Sequence, residues 1–171
     1  MTALMIAAEL GLHEILILLL ERHADCRLVD KDGYSALVLA AWNGNSYAVE
    51  CLCKYDRSHD HLEIKNKYGK TAFFLSAEKD DVKSLDILWK YGADTNSLSK
   101  RGLSPLMLVC VLGKTGVFTY LVSPQEKPVA SLTLTTLVDK VEHNVRLHSF
   151  VHSFVHAFFH SEANIMRCVI D

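Results

Sequence analysis

Four segments of this 171-residue chain open on Ser or Thr, carry Leu or Phe two places on, and end mostly in small residues: 2–8, 35–41, 71–77 and 104–110. Their first residues lie 33, 36 and 33 positions apart. Self-similarity at such a period marks an array in which each unit is one supersecondary piece that buries its apolar face only against its neighbours. The fold expected is an all-α solenoid, with function on its repeating surface rather than in a cleft.

One unit shows why. Ser35 can cap the free N–H groups of a following helix. Leu37, Leu39, Ala40 and Ala41 supply that helix's apolar stripe, and the alanines let a neighbour approach closely. Asn43-Gly44-Asn45 breaks it. A second helix is predicted from Ser46 to about Tyr55, with Val49, Leu52 and Cys53 inward. A polar loop then leads to Lys67-Tyr68-Gly69, where glycine permits the positive φ of a tight turn. The order recurs with turns at Gly33 and Gly102, and Pro124 halts the last helix.

These residues resemble the ankyrin repeat family. Its Thr-Pro-Leu-His opening is similar to Ser104-Pro105-Leu106-Met107, its Gly-Ala-Asp element to Gly92-Ala93-Asp94, and its turn glycine to Gly33, Gly69 and Gly102. The resemblance covers residues 2 to about 123 in units of roughly 1–32, 33–68, 69–101 and 102–123. The family histidine of the first helix is replaced by Met5, Val38, Phe74 and Met107, so apolar packing must substitute for its hydrogen bond. Extra residues near Asp56 to His61 are expected to enlarge one loop. An end unit should show a polar outer face, yet Ile6, Ile15 and Leu18 sit in the first. Either further ankyrin repeats precede it, or that end meets a partner.

Half the residues are apolar and 22% are charged, which suits a buried core. A net charge of −2 gives no drive toward nucleic acid or anionic lipid. The stretch from Leu4 to Leu20 is too short and too charged to span a bilayer. Five scattered cysteines (Cys26, Cys51, Cys53, Cys110, Cys168) read as reduced side chains of an intracellular, cytoplasmic protein.

Catalytic signatures fail on spacing. Gly69-Lys-Thr71 and Gly113-Lys-Thr115 would need a glycine where Ile64 and Leu108 stand, so no phosphate loop is expected. There is no nucleophile elbow and no zincin helix. Cys51 with Cys53 and His59 with His61 lie close in sequence. Residues two apart on a helix face differently, though, and no second pair completes four ligands. Helix packing is expected for the cysteines and a solvated loop for the histidines. The chain should be non-catalytic, with no cofactor and no metal.

The resemblance implies recognition of a protein partner through turn tips and the exposed side of the first helices, a concave surface. Carried over by position, the tips are Lys31, Asp32 and Tyr34; Lys67, Tyr68 and Lys70; Lys100, Arg101 and Leu103. The helix positions are Glu9 and Leu10; Trp42 and Asn43; Glu78 and Lys79; Val111 and Leu112. Tyr, Trp and Arg supply large anchors for protein contact. With Lys65, the tips carry six cations against Asp32, which points to an acidic or phosphorylated protein segment; solvated turns rich in Lys are the plain alternative. The Ala-Leu-Met form of the opening also resembles long ankyrin arrays of some protists, a few joined to kinases. A regulatory or targeting segment of a larger enzyme, such as a protein kinase, is therefore the second reading.

Past Pro124 the register fails. Residues 124–171 form a divergent His/Phe-rich tail or cap, in which His148, His152, His156 and His160 recur every fourth place beside Phe150, Phe154 and Phe158. That spacing predicts an amphipathic helix packing on the last unit. Metal sharing and joint protonation of the histidines near neutral pH are the sharper alternatives.

Overall fold

A computed structural model describes residues 1–56 and 58–122; the expected amphipathic tail at 124–171 lies outside the described residues. By its internal contacts the chain divides into one unit at Met1–Pro105 and a second beginning at Leu106. Helices account for the described secondary structure: α1 (Ala3–Leu10), α2 (His13–Glu21), α3 (Ala36–Trp42), α4 (Ser46–Tyr55), α5 (His59–Leu62), α6 (Ala72–Lys79), α7 (Val82–Lys90), α8 (Pro105–Leu112) and α9 (Thr115–Val122). Among the described residues the only extended pairing outside a named strand is an antiparallel bridge between Val29 and Ser35.

Within the first unit α1 packs on α2, α3 on α4 and α6 on α7, and successive pairs stack through α1 on α3, α3 on α6, α2 on α4 and α4 on α7. This is the stacked helix-pair solenoid that the repeat spacing predicts. The hydroxyls of Thr2, Ser35 and Thr71 accept from the N–H of Met5, Val38 and Phe74, each at 3.3 Å, and so start α1, α3 and α6. Behind them Leu37, Val38, Leu52, Phe73, Phe74, Leu75, Leu85 and Leu88 are fully buried. Met5, Val38 and Phe74, which stand where the family has histidine, fill the core instead.

Stacking is reinforced by the side chain of Asn45. The Asn45 amide donates to the carbonyls of Ala8 and Glu9, both at 2.9 Å, closing the open C-terminal end of α1 from the next helix pair. Thr71 and Ser97 make a buried hydroxyl pair at 3.2 Å.

The stretch after Asp56 differs from expectation. It folds back as the short helix α5, and His61, expected in a solvated loop, is only 1% exposed. Its Nδ1 lies 2.7 Å from the Ser58 carbonyl, while Nε2 is buried without a hydrogen-bond partner among the described residues. His59 does remain exposed.

In the second unit α8 buries Met107, Val109 and Cys110, and α9 buries Val117, Phe118 and Leu121. No described helix is long and apolar enough to cross a membrane.

Candidate protein-interaction face

Three fingers project from the first unit, each folded by the side chain of its own first residue. The Asp30 carboxylate accepts from the N–H of Asp32 and Tyr34, both at 2.9 Å. The Asn66 carbonyl oxygen accepts from Tyr68 and Lys70 at 3.0 and 3.1 Å, and the Ser99 hydroxyl accepts from Leu103 at 3.2 Å. Such local bonds let the backbone reverse without a partner strand. Each reversal closes on glycine: Gly33 donates to Asp30 at 3.0 Å, Gly69 to Asn66 at 2.8 Å and Gly102 to Ser99 at 2.9 Å.

Neighbouring fingers are zipped through main-chain atoms. Lys67 N–H donates to the Asp32 carbonyl at 2.8 Å, and Lys100 N–H to the Tyr68 carbonyl at 2.9 Å. The approach is close enough that a Cβ on Gly69 would stand 2.7 Å from the Lys100 nitrogen. The tips therefore follow one another at the spacing of a hydrogen bond.

Several charges on this face are already engaged. Lys67 Nζ is 3.0 Å from Asp32 Oδ1 and 5.2 Å from the Tyr68 ring centre. That carboxylate bond raises the Lys67 pKa. Lys70 Nζ pairs with Glu78 Oε2 at 2.6 Å and lies 5.4 Å from the Phe74 ring. Lys79 caps the Trp42 ring. Among the described residues no ion pair is recorded for Lys31, Lys65, Lys100 or Arg101, and all four are exposed. The cationic surplus at the tips is thus smaller than a count of residues suggests, and the third finger keeps its two adjacent charges.

The aromatic positions divide by exposure. Tyr68 is 51% exposed, Tyr34 is half-buried, and Trp42 lies at the margin of exposure. Burial, and then the neighbouring Tyr68, push the Tyr34 phenol pKa up. Asn43 turns its amide back onto the Leu39 carbonyl at 3.1 Å. Leu103 is half-buried and bonded through both main-chain groups to Ser99. Glu9 is half-buried and Leu10 exposed on α1. Val111 and Leu112 belong to the second unit, where Val111 is half-buried and Leu112 exposed. The geometry joins Asp32 to Lys67, Lys70 to Glu78 and Trp42 to Lys79. Phe74, chosen from sequence only as a core residue, also underlies the Lys70 pair.

Other reactive side chains are subdued. Burial pushes the thiols of Cys53 and Cys110 up to about 12 and that of Cys26 to about 11, so they pack rather than react. Cys51 is half-buried and Cys53 buried, on different sides of α4. At the far ends of α2 and α4, His23 Nδ1 lies 2.9 Å from the Tyr55 hydroxyl. Arg27 donates to Asp56 at 3.3 Å and to Ser58 at 3.1 Å. An open hollow of about 500 Å³ lies there, lined by His23, Asp25, Cys26, Arg27, Tyr55 and Asp56 among others. No group of three His, Cys, Asp or Glu side chains able to hold a metal occurs among the described residues.

Residues 1–61 match the family described as ankyrin repeats (3 copies). The chain is 26% identical over 149 residues to ankyrin repeat and KH domain-containing protein mask-1 of Caenorhabditis elegans, covering 83% of this chain and 6% of that protein. It is 32% identical over 91 residues to a putative ankyrin repeat protein of Rickettsia bellii, covering 52% of this chain and 54% of the relative. To protein phosphatase 1 regulatory subunit 12A of Mus musculus it is 36% identical over 106 residues, 62% of this chain and 10% of the relative. The chain thus spans about half the length of the bacterial relative and a small part of the two animal ones.

Proposed function

We propose that the chain is a non-catalytic scaffold whose fingers and first-helix faces bind one protein segment, a reading supported by the match of residues 1–61 to ankyrin repeats, which are protein-interaction modules. What carries this reading is the zipped row of fingers, which presents Tyr34, Tyr68, Lys100 and Arg101 already ordered. A preformed face loses little conformational freedom on binding. The segment it suits is acidic or phosphorylated: Lys100 and Arg101 are adjacent tip charges with no ion pair among the described residues, and guanidinium pairs well with carboxylate or phosphate. The free cysteines Cys26, Cys51, Cys53 and Cys110 suit an intracellular, cytoplasmic setting.

A regulatory role within a larger enzyme assembly is the second reading, favoured by the likeness to a phosphatase regulatory subunit. The two differ in what is captured: a substrate-like acidic segment, or a catalytic domain.

Affinity capture compares the wild type with Tyr34/Trp42/Tyr68→Ala and with Lys100/Arg101→Glu. Loss of the same partner in both variants, with helical content intact, supports the face. Undiminished recovery by two folded variants refutes it.

A further inference from the structure

The two joints between fingers share one backbone register, yet only the first is electrostatically complete. Asp30, Asn66 and Ser99 key the three fingers; Lys31, Lys67 and Lys100 each stand one place further on. Asp32, Tyr68 and Arg101 each stand two places on. At the first joint Lys67 N–H donates to the Asp32 carbonyl at 2.8 Å, and at the second Lys100 N–H donates to the Tyr68 carbonyl at 2.9 Å. Lys100 therefore stands to Tyr68 as Lys67 stands to Asp32.

At the first joint the side chains repeat the pairing, with Lys67 Nζ 3.0 Å from Asp32 Oδ1. At the second joint the lysine remains and the carboxylate is gone, because tyrosine stands where aspartate would. The Tyr68 ring keeps to residues of the first two fingers. It lies 5.2 Å from Lys67 Nζ and near enough to Tyr34 to push that phenol's pKa up. Lys100 runs its stem along the joint, its Cγ 3.2 Å from where a Cβ on Gly69 would stand. Both Lys100 and Arg101 are exposed, and among the described residues neither has an ion pair.

Resting on the reading that the fingers bind a protein segment, we propose that the second joint receives an aspartate or glutamate side chain of that segment. The carboxylate sits on Lys100 beside Tyr68, in the place that Asp32 fills one joint earlier. Arg101 is the neighbouring donor, and its planar fork suits a carboxylate. Lys67 is already held by Asp32, so the segment's acid is directed to the second joint rather than the first. Complementary charge at one fixed joint sets the register of the segment along the row.

Two measurements on the full chain test this, with circular dichroism to confirm folding of each variant. Without any partner, Tyr68→Asp should resist urea better than Tyr68→Asn at neutral pH, and the difference should vanish in a Lys100→Met background. No difference, or one that survives Lys100→Met, overturns the equivalence of the joints and the proposal with it. The second measurement uses random peptide pools centred on glutamate, glutamine or phosphoserine. The glutamate pool should bind best, and Lys100→Met should weaken it by about fivefold while Lys31→Met leaves it unchanged. A glutamate preference that survives Lys100→Met but falls with Lys31→Met or Lys65→Met overturns this site and spares the acidic-segment reading. A preference for phosphoserine over glutamate does the same. Equal binding of the glutamate and glutamine pools, or binding of none, overturns the site and that reading together.

Discussion

Lys79, at the end of α6, holds its ammonium 4.1 Å from the ring centre of Trp42, at the end of α3. The two belong to successive helix pairs and occupy the same level of the exposed first-helix face. A contact of this kind is worth about 0.5–1 kcal/mol where solvent reaches it. It fixes the orientation of the largest aromatic side chain on that face.

Lys79→Met should therefore lower unfolding free energy by no more than about 1 kcal/mol. The indole emission of Trp42 should change relative to a Trp89→Phe background that isolates it. Denaturant titration followed by fluorescence reads both. An unchanged Trp42 spectrum would show the pair to be unformed in solution.

Gly69→Ala and Gly102→Ala should differ although both glycines have positive φ, 75° and 73°. Either alanine meets the left-handed penalty of about 1–2 kcal/mol. Only at Gly69 does the new Cβ also meet the backbone of the next finger; around Gly102 there is open space within 4 Å. Thermal unfolding should show the larger loss for Gly69→Ala, and fast amide exchange at Lys100 should accompany it alone.

His23 holds a positive φ of 59° at the position where the third repeat has Gly92. In a Tyr55→Phe background, where the hydroxyl partner is already gone, His23→Gly should stabilise by about 1 kcal/mol. In the wild type the gain should be smaller, because the exchange also removes the bond to Tyr55. Equal gains in the two backgrounds would show that the hydrogen bond contributes nothing.

Acid should reach Asp56 late. Burial alone would raise its pKa, but hydrogen bonds from Ser58, the bond from Arg27 and the proximity of His61 hold it below the ordinary carboxylate value. A depressed folded-state pKa stabilises the fold above the unfolded value, near pH 4, and that contribution fades as pH falls through the lower folded value. Asp56→Asn should cost about 1 kcal/mol at neutral pH and flatten the acid limb of the stability curve. Urea midpoints at a series of pH values measure it.

Much of this was readable from local pattern. The caps at Ser35 and Thr71, the extent of α4 from Ser46 to Tyr55 and the inward set of Val49, Leu52 and Cys53 follow from side chains acting within a few residues of themselves. The finger keys at Asn66 and Ser99 were also within reach, since each stands three places before its turn glycine as Asp30 does. The charges were less legible. Whether Lys70 faces a ligand or Glu78, and whether Lys79 is free or rests on Trp42, depends on how one helix pair lands on the next. His61 shows the same limit. Nothing near it in sequence announces burial, which arises because a short helix folds the insertion back on itself.

The zipper between fingers is written in main-chain atoms, from Asp32 to Lys67 and from Tyr68 to Lys100. Its geometry is therefore indifferent to which side chains the tips display. Asp30, Asn66, Ser99 and the glycines are fixed by the architecture, while positions 31, 67, 68, 100 and 101 are free to be rewritten. Selection, or a designer, can retarget the molecule there one letter at a time without renegotiating its scaffold.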